Sequence, residues 1–197
     1  MRKPKAKRFG ALPSAAGVLT RLACMRARAA GIELDPLLRK AGLTRRQVDD
    51  ARLRIGVQSQ IKFLNIAANA LRDEFLGVHL AWDLDLREIG LTYYVMASSE
   101  TLGDALRRAE RYSTIGNEGI ALKYLEGKDI AIVFDYVGIA RHSDRHQIEG
   151  WATALIRACR QLTNRRAHPR KIHPSPQRGL LGDHEAARTP RRVRRRR

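Results

Sequence analysis

The residues best equipped for chemistry in this chain are amphipathic aromatics in its second half. Tyr93, Tyr94, Tyr112, Tyr124, Tyr136 and Trp151 each join an apolar ring to a polar tip. Arg111 adds a guanidinium that pairs bidentately with a carboxylate. Together they suit a pocket that grips a small molecule by apolar contact and orients it with a few hydrogen bonds. Side chains of this kind also serve as ordinary core and rim residues, so they are candidates rather than a motif. Bond-making chemistry has no comparable set. Ser98-Ser99 lacks a paired base, and G-x-S-x-G, Walker A, G-x-G-x-x-G and a catalytic Cys–His context are all missing. The chain is expected not to be an enzyme and to need no cofactor.

Three further groups could bind metal or nucleic acid. His142 and His146 stand at the i, i+4 spacing of paired metal ligands on a helix, without the glutamate of an H-E-x-x-H arrangement. They read as surface histidines at a helix start. Asp83-Leu84-Asp85 lacks the glycine and distal glutamate of a calcium loop and reads as a solvated loop. Leu38 to Val48 imitates a helix-turn-helix, with Arg45, Arg46 and Gln47 placed to approach base edges. Asp49 and Asp50 follow directly and would repel phosphates. Cys24 and Cys159 lie far apart with no Cys-x-x-Cys, which predicts buried, reduced thiols.

The elements that must position these residues follow from periodicity. Ser14 is a plausible cap for a first helix ending at Gly31; Asp35-Pro36 opens a second, with Pro at its first position, and Gly42 closes it. Thr44 caps a third helix, and a longer one from about Gln58 buries Ile61, Leu64, Ala68 and Leu71. A short helix covers Asp73 to Trp82. Leu91, Tyr94 and Val95 then define the buried stripe of a turn-and-helix unit, and Thr101 to Asp104 forms a capping box. Leu102, Ala105, Leu106, Ala109 and Tyr112 follow on the next helix, which stops at Gly116-Asn117. After Gly119 the period drops to two. Ile120, Leu122 and Tyr124, a Glu126–Asp129 turn, then Ile130, Ile132, Phe134 and Tyr136 predict a β-hairpin. Ser143 or Asp144 caps a long helix carrying Ile148, Trp151, Leu155, Cys159 and Leu162, and Arg170 to Ile172 looks like a strand start. The expected fold is therefore α+β: helix-rich, with a small antiparallel sheet at about 119–137.

The stretch from Ile89 to Tyr112 also resembles a known family. Ile89-Gly90-Leu91, Met96-Ala97-Ser98-Ser99, Thr101 to Leu106 and Arg111-Tyr112 are similar to the G-L-x-x-Y-x-x-x-S-S-x-T-L-x-E-A-L-x-x-x-x-R-Y signature. That signature marks the N-terminal effector-sensing, arabinose-binding-like domain of AraC-type bacterial transcription regulators. The likeness runs loosely from about Val18 to Lys171. It implies a ligand-sensing function with a small-molecule effector and pairing into a homodimer or with a full-length regulator. DNA would be contacted only through a C-terminal helix-turn-helix domain. The resemblance brings no residue-level ligand motif with it.

Charge and composition frame this reading. Of the formal +18, residues 1–10 hold five Lys/Arg and residues 165–197 twelve against two acids, which leaves +3 for residues 11–164. The basicity belongs to the ends, so a second reading is a protein that binds nucleic acid through basic ends or residues 38–48. Residues 1–11 are expected to be a disordered lead-in, 12–173 the sensing and dimerisation domain, and 174–197 a disordered basic tail. The tail R-T-P-R-R-V-R-R-R-R is also the kind of text that GC-rich DNA yields out of frame, so a frameshifted or truncated product stays open beside a true tail. No run reaches the ~18 apolar residues of a membrane span, and a cytoplasmic location is expected.

Overall fold

The computed structural model describes residues 12–127, 130–137, 144–165 and 169. Among them the order is β1 (Ser14–Ala15), α1 (Val18–Ala29), α2 (Leu34–Ala41), α3 (Arg45–Asp49), β2 (Ile55–Gly56), α4 (Val57–Leu71) and α5 (Leu76–Asp83). A 3-10 turn (Leu86–Ile89), α6 (Leu91–Ala97), α7 (Leu102–Gly116), β3 (Ile120–Leu125), β4 (Ala131–Tyr136) and α8 (Arg145–Thr163) complete it. The fold is α+β and mostly helical, with two small antiparallel sheets, β1–β2 and β3–β4. Expectations for residues 1–11, 174–197, the strand start at Arg170 and His142 fall outside the described residues.

Local chemistry explains most boundaries. Thr44 makes a complete capping box with Gln47, and Gly42 closes α2 at φ 73°. Thr101 accepts the Asp104 N–H at 3.1 Å and donates to its carboxylate at 2.6 Å. The hairpin register pairs Ile120 with Tyr136, Leu122 with Phe134 and Tyr124 with Ile132, so the alternating apolar residues share one face.

Four expectations need correction. The first helix begins at Val18 behind Gly17, not at Ser14. Ser14 is committed to β1 instead, and its N–H and hydroxyl both donate to Glu118 Oε2 at 2.9 Å. Pro36 is the third residue of α2, because the helix starts two residues earlier at Leu34, a side chain the core buries. On α6 the buried stripe is Tyr93 and Met96, while Leu91 and Tyr94 face solvent. A seven-residue helix that is apolar on two faces has no pattern to choose between them; packing on α7 and α8 chooses. On α8 the expected Cys159 is buried, but the other buried residues are Gln147, Gly150, Ala154 and Ala158, with Ile148, Trp151, Leu155 and Leu162 half-buried beside them.

That last correction has a steric cause. The backbones of α5 and α8 meet at Gly77 and Gly150: a Cβ on Gly77 would overlap the His146 carbonyl, and one on Gly150 would lie 3.2 Å from the Gly77 oxygen. Around this crossing are two main cores. One joins α1 to α5 through Leu19, Leu38, Phe63, Leu64 and Leu80; the other joins α6, α7, the hairpin and α8 through Tyr93, Met96, Leu106, Ala154 and Ala158. Leu22 and Trp151 pack against both. A buried polar chain also crosses the junction. The Thr20 hydroxyl donates to Gln60 at 3.3 Å, Gln60 donates to Gln147 at 2.7 Å, and Gln147 donates to the Tyr136 hydroxyl at 3.2 Å.

The β1 segment straps the two halves from outside. Arg54 donates to the Ser14 hydroxyl (2.7 Å), the Ser14 carbonyl (3.0 Å) and the Ile115 carbonyl (3.0 Å). The Ala16 N–H donates to Gly116, and the Glu118 N–H to Ser14. The Ser14 donors hold the Glu118 carboxyl below the usual carboxylate range.

Two predictions follow from this geometry. Gly77→Ala should cost about 1–3 kcal/mol through overpacking, against the ~1 kcal/mol gain expected of Ala in an open helix. Gly116→Ala, where an added Cβ meets nothing within 4 Å, should be neutral or stabilising; urea unfolding of the two variants measures the contrast. For Glu118 the folded pKa is depressed, so its contribution is present above the unfolded pKa and lost as pH falls through the folded value. Glu118→Gln should therefore lower the urea midpoint at neutral pH, and the difference should close in acid.

Candidate functional site

A cavity of about 70 Å³ lies where α6, α7, the hairpin and α8 meet. One water needs about 10–15 Å³ on this measure, so the space admits a small organic molecule. Periodicity builds each wall. Thr92, Tyr93 and Met96 come from one side of α6, with Ile89 just before it, and Ala109, Ser113 and Gly116 from the i, i+4, i+7 row of α7. Ile120, Leu122 and Phe134 form the shared hairpin face, and Trp151, Ala154, Leu155 and Ala158 recur at three and four along α8. Asn117 closes the corner between α7 and β3. The void exists because the helices carry short side chains where they face it: Ala109, Ser113 and Gly116 on one side, Ala154 and Ala158 on the other.

The polar groups in the wall are few, and several are occupied. Thr92 donates to the Tyr112 carbonyl at 3.1 Å. Ser113 donates to the Glu110 carbonyl at 3.1 Å and accepts the Leu122 N–H at 3.2 Å. The Tyr93 hydroxyl accepts from Gln161 at 2.8 Å. Asn117, 4 % exposed, accepts the Gly119 N–H at 3.0 Å through Oδ1, which fixes the amide orientation. Its Nδ2 has no partner among the described residues, and neither does the buried Trp151 Nε1. An unmet buried donor costs about 1–3 kcal/mol, and neither atom has more than a trace of accessible surface. Lys, Arg, His, Asp and Glu are not in this wall among the described residues. Among the described residues no hydroxyl in it has a base at hydrogen-bond distance.

The structure brings two of the seven predicted ligand residues together: Tyr93 and Trp151 both line the cavity. Tyr94 is exposed and packs edge-on to Tyr93, ring centres 5.6 Å apart. Arg111 is exposed and lies over the Tyr112 ring at 5.6 Å, away from the cavity. Tyr124 is buried in the second core under Arg107, and the Tyr136 hydroxyl accepts from Gln147. Sequence reasoning missed Asn117, seen only as a helix stop, and the small residues of α7 and α8. An alanine spaced like a core residue does not reveal whether the space opposite it is filled.

The remaining candidates sit elsewhere. The outline of α2, Gly42 and α3 does resemble a helix-turn-helix, but α3 has five residues. Arg45 donates to Asp35 at 2.5 Å, the Gln47 carbonyl accepts the Thr44 N–H, and Asp49 takes Arg28; Arg46 is exposed. Asp83 accepts Arg26 at 2.6 Å. Asp85 caps the 3-10 turn, and Arg87 holds its carboxyl at about 2. Burial lowers the pKa of His146. Both cysteines are free and buried, and burial pushes the Cys24 thiol up to about 12 and Cys159 upward too, so neither is a ready nucleophile.

Comparison with family models finds a match over residues 31–187 to the N-terminal arabinose-binding domain of AraC transcription regulators. No curated protein matches the chain.

Packing around the cavity predicts a contrast between two buried alanines. Ala154→Met extends into the void and should be tolerated within about 1 kcal/mol. Ala23→Met, in the filled first core, should cost about 1–3 kcal/mol on thermal unfolding.

Proposed function

Because this chain belongs to the family of N-terminal arabinose-binding domains of AraC transcription regulators, we propose that its cavity is the effector site of a bacterial, cytoplasmic regulator. The observation that carries this reading is the void itself: an apolar space in a domain whose family senses small molecules. Trp151 offers a route for the signal, since it forms part of the cavity wall and packs against both cores. An occupant that moves the indole favours one packing of the halves over another. Its differential affinity for the two packings sets the size of the response.

In this proposal residues 12–173 form the sensing domain, which pairs with a second copy or with a full-length regulator. Operator recognition belongs to a helix-turn-helix domain rather than to residues 38–48, where Asp35 already holds Arg45. No helix among the described residues is long and apolar enough to cross a membrane.

Thermal melting of the full chain against a panel of small metabolites tests the reading. A true effector raises apparent stability by mass action, by about 2.7 kcal/mol at a hundred times its Kd, and Ala154→Met abolishes the response. A panel without a single hit, or a hit indifferent to Ala154→Met, overturns it. In gel shifts the same chain should show only duplex binding that is blind to sequence and collapses as salt rises.

A further inference from the structure

We infer that the effector is an uncharged, apolar molecule held by hydrocarbon contact, and not the sugar that the family's description names. This rests on the cavity being the effector site and specifies the chemistry that site accepts. Its inner surface is almost wholly apolar, with Met96, Ile120, Leu122, Phe134 and Leu155 supplied by four elements. The hydroxyls of the lining residues are spent on the protein itself. Thr92 donates to the Tyr112 carbonyl, Ser113 serves Glu110 and Leu122, and Tyr93 accepts from Gln161. Asn117 gives its Oδ1 to Gly119, and its Nδ2, like Trp151 Nε1, has no more than a trace of accessible surface. An occupant therefore meets apolar surface at nearly every point of contact. Voids of this kind stay dry and take up apolar molecules, because water inside them gains too few hydrogen bonds.

A sugar is the poorest match. Each of its hydroxyls leaves water on entering, and this wall would leave most of them unpaired. A carboxylate fails for a separate reason. It would be desolvated with no cation beside it, since no Lys, Arg or His lines the cavity among the described residues. The arginines on the helices that build the wall are committed elsewhere. Arg157 donates to the Ala81 and Leu84 carbonyls, Arg108 to the Val95 carbonyl and the Ser98 hydroxyl, and Arg111 lies over the Tyr112 ring.

The test is an NMR titration of the full chain, methyl-labelled at Ile, Leu and Met. Its probes are two isosteric pairs, toluene with phenol and n-hexane with 1-pentanol, together with benzoate and L-arabinose. The pairs differ in shape, so the outcome does not hang on one ligand size, and within each a methyl is exchanged for a hydroxyl. The wall is read at Met96, Ile120, Leu122 and Leu155, against Leu38 and Leu64 in the filled first core. A hydrocarbon of at least one pair should move the wall methyls saturably and leave the reference methyls still. Its hydroxyl partner should bind at least about tenfold more weakly, and benzoate and L-arabinose should not bind. Ala154→Met should weaken the hydrocarbon at least about tenfold; should that variant fail to fold, the contrast between wall and reference methyls still decides. An alcohol that binds as well as its hydrocarbon, or benzoate or L-arabinose preferred at the wall, overturns the ligand class and leaves the cavity a sensing site. A sugar or acid emerging from the metabolite melting panel does the same. Hydrocarbons that leave the wall methyls still, or move the reference methyls equally, overturn the inference. The sensing reading then survives only through a metabolite whose stabilisation Ala154→Met abolishes.

Discussion

The contact between α5 and α8 at Gly77 and Gly150 is the constraint on which the rest of the structure depends. Two backbones can approach this closely only where neither carries a Cβ, and the His146 carbonyl occupies the place a Gly77 side chain would need. Helix α8 is thereby pinned in depth and rotation. With Gly150 against α5, the row that starts at the next residue, Trp151, Ala154, Leu155 and Ala158, faces the second core and forms one wall of the cavity. A looser crossing would move that wall, and with it the Trp151 indole.

Protein interiors are ordinarily filled to crystal density. Here small residues on α7 and α8 face one another across an apolar void, and unfilled interior space costs stability. The domain tolerates it because each half has its own anchors. Phe63, Leu64 and Leu80 are fully buried in the first core, and the hairpin docks on α7 in the second.

The two halves are joined at three levels. Trp151 and Leu22 share apolar contacts with both cores. The Thr20, Gln60, Gln147 and Tyr136 chain carries hydrogen bonds from α1 to β4 through the interior, where an unmet partner is expensive and the arrangement is therefore specific. Outside, Arg54 and Glu118 clasp the β1 segment between β2 and the end of α7. A change at the cavity wall is thus felt at the seam between the halves. In the proposed function, that seam is where an occupant would alter what a partner domain meets.

By itself the sequence determined the elements whose signals are local. The Thr44 and Thr101 caps, the Gly42 stop, the hairpin's alternation and the helix-rich α+β class all follow from neighbouring residues, because caps, turns and strand alternation are decided over a few residues of chain. The signature from Ile89 to Tyr112 likewise pointed to the family over which the domain match extends. What only the tertiary structure decided are the choices made by distant partners. Ser14 left its expected cap for Glu118, α6 buried Tyr93 and Met96 rather than Leu91 and Tyr94, and Arg111 turned away from the space it was expected to serve. The cavity belongs to this second class. A void is defined by what four elements fail to fill, and no residue announces along the chain that its opposite number, as far off as Ala158 is from Ala109, will be too short to reach it.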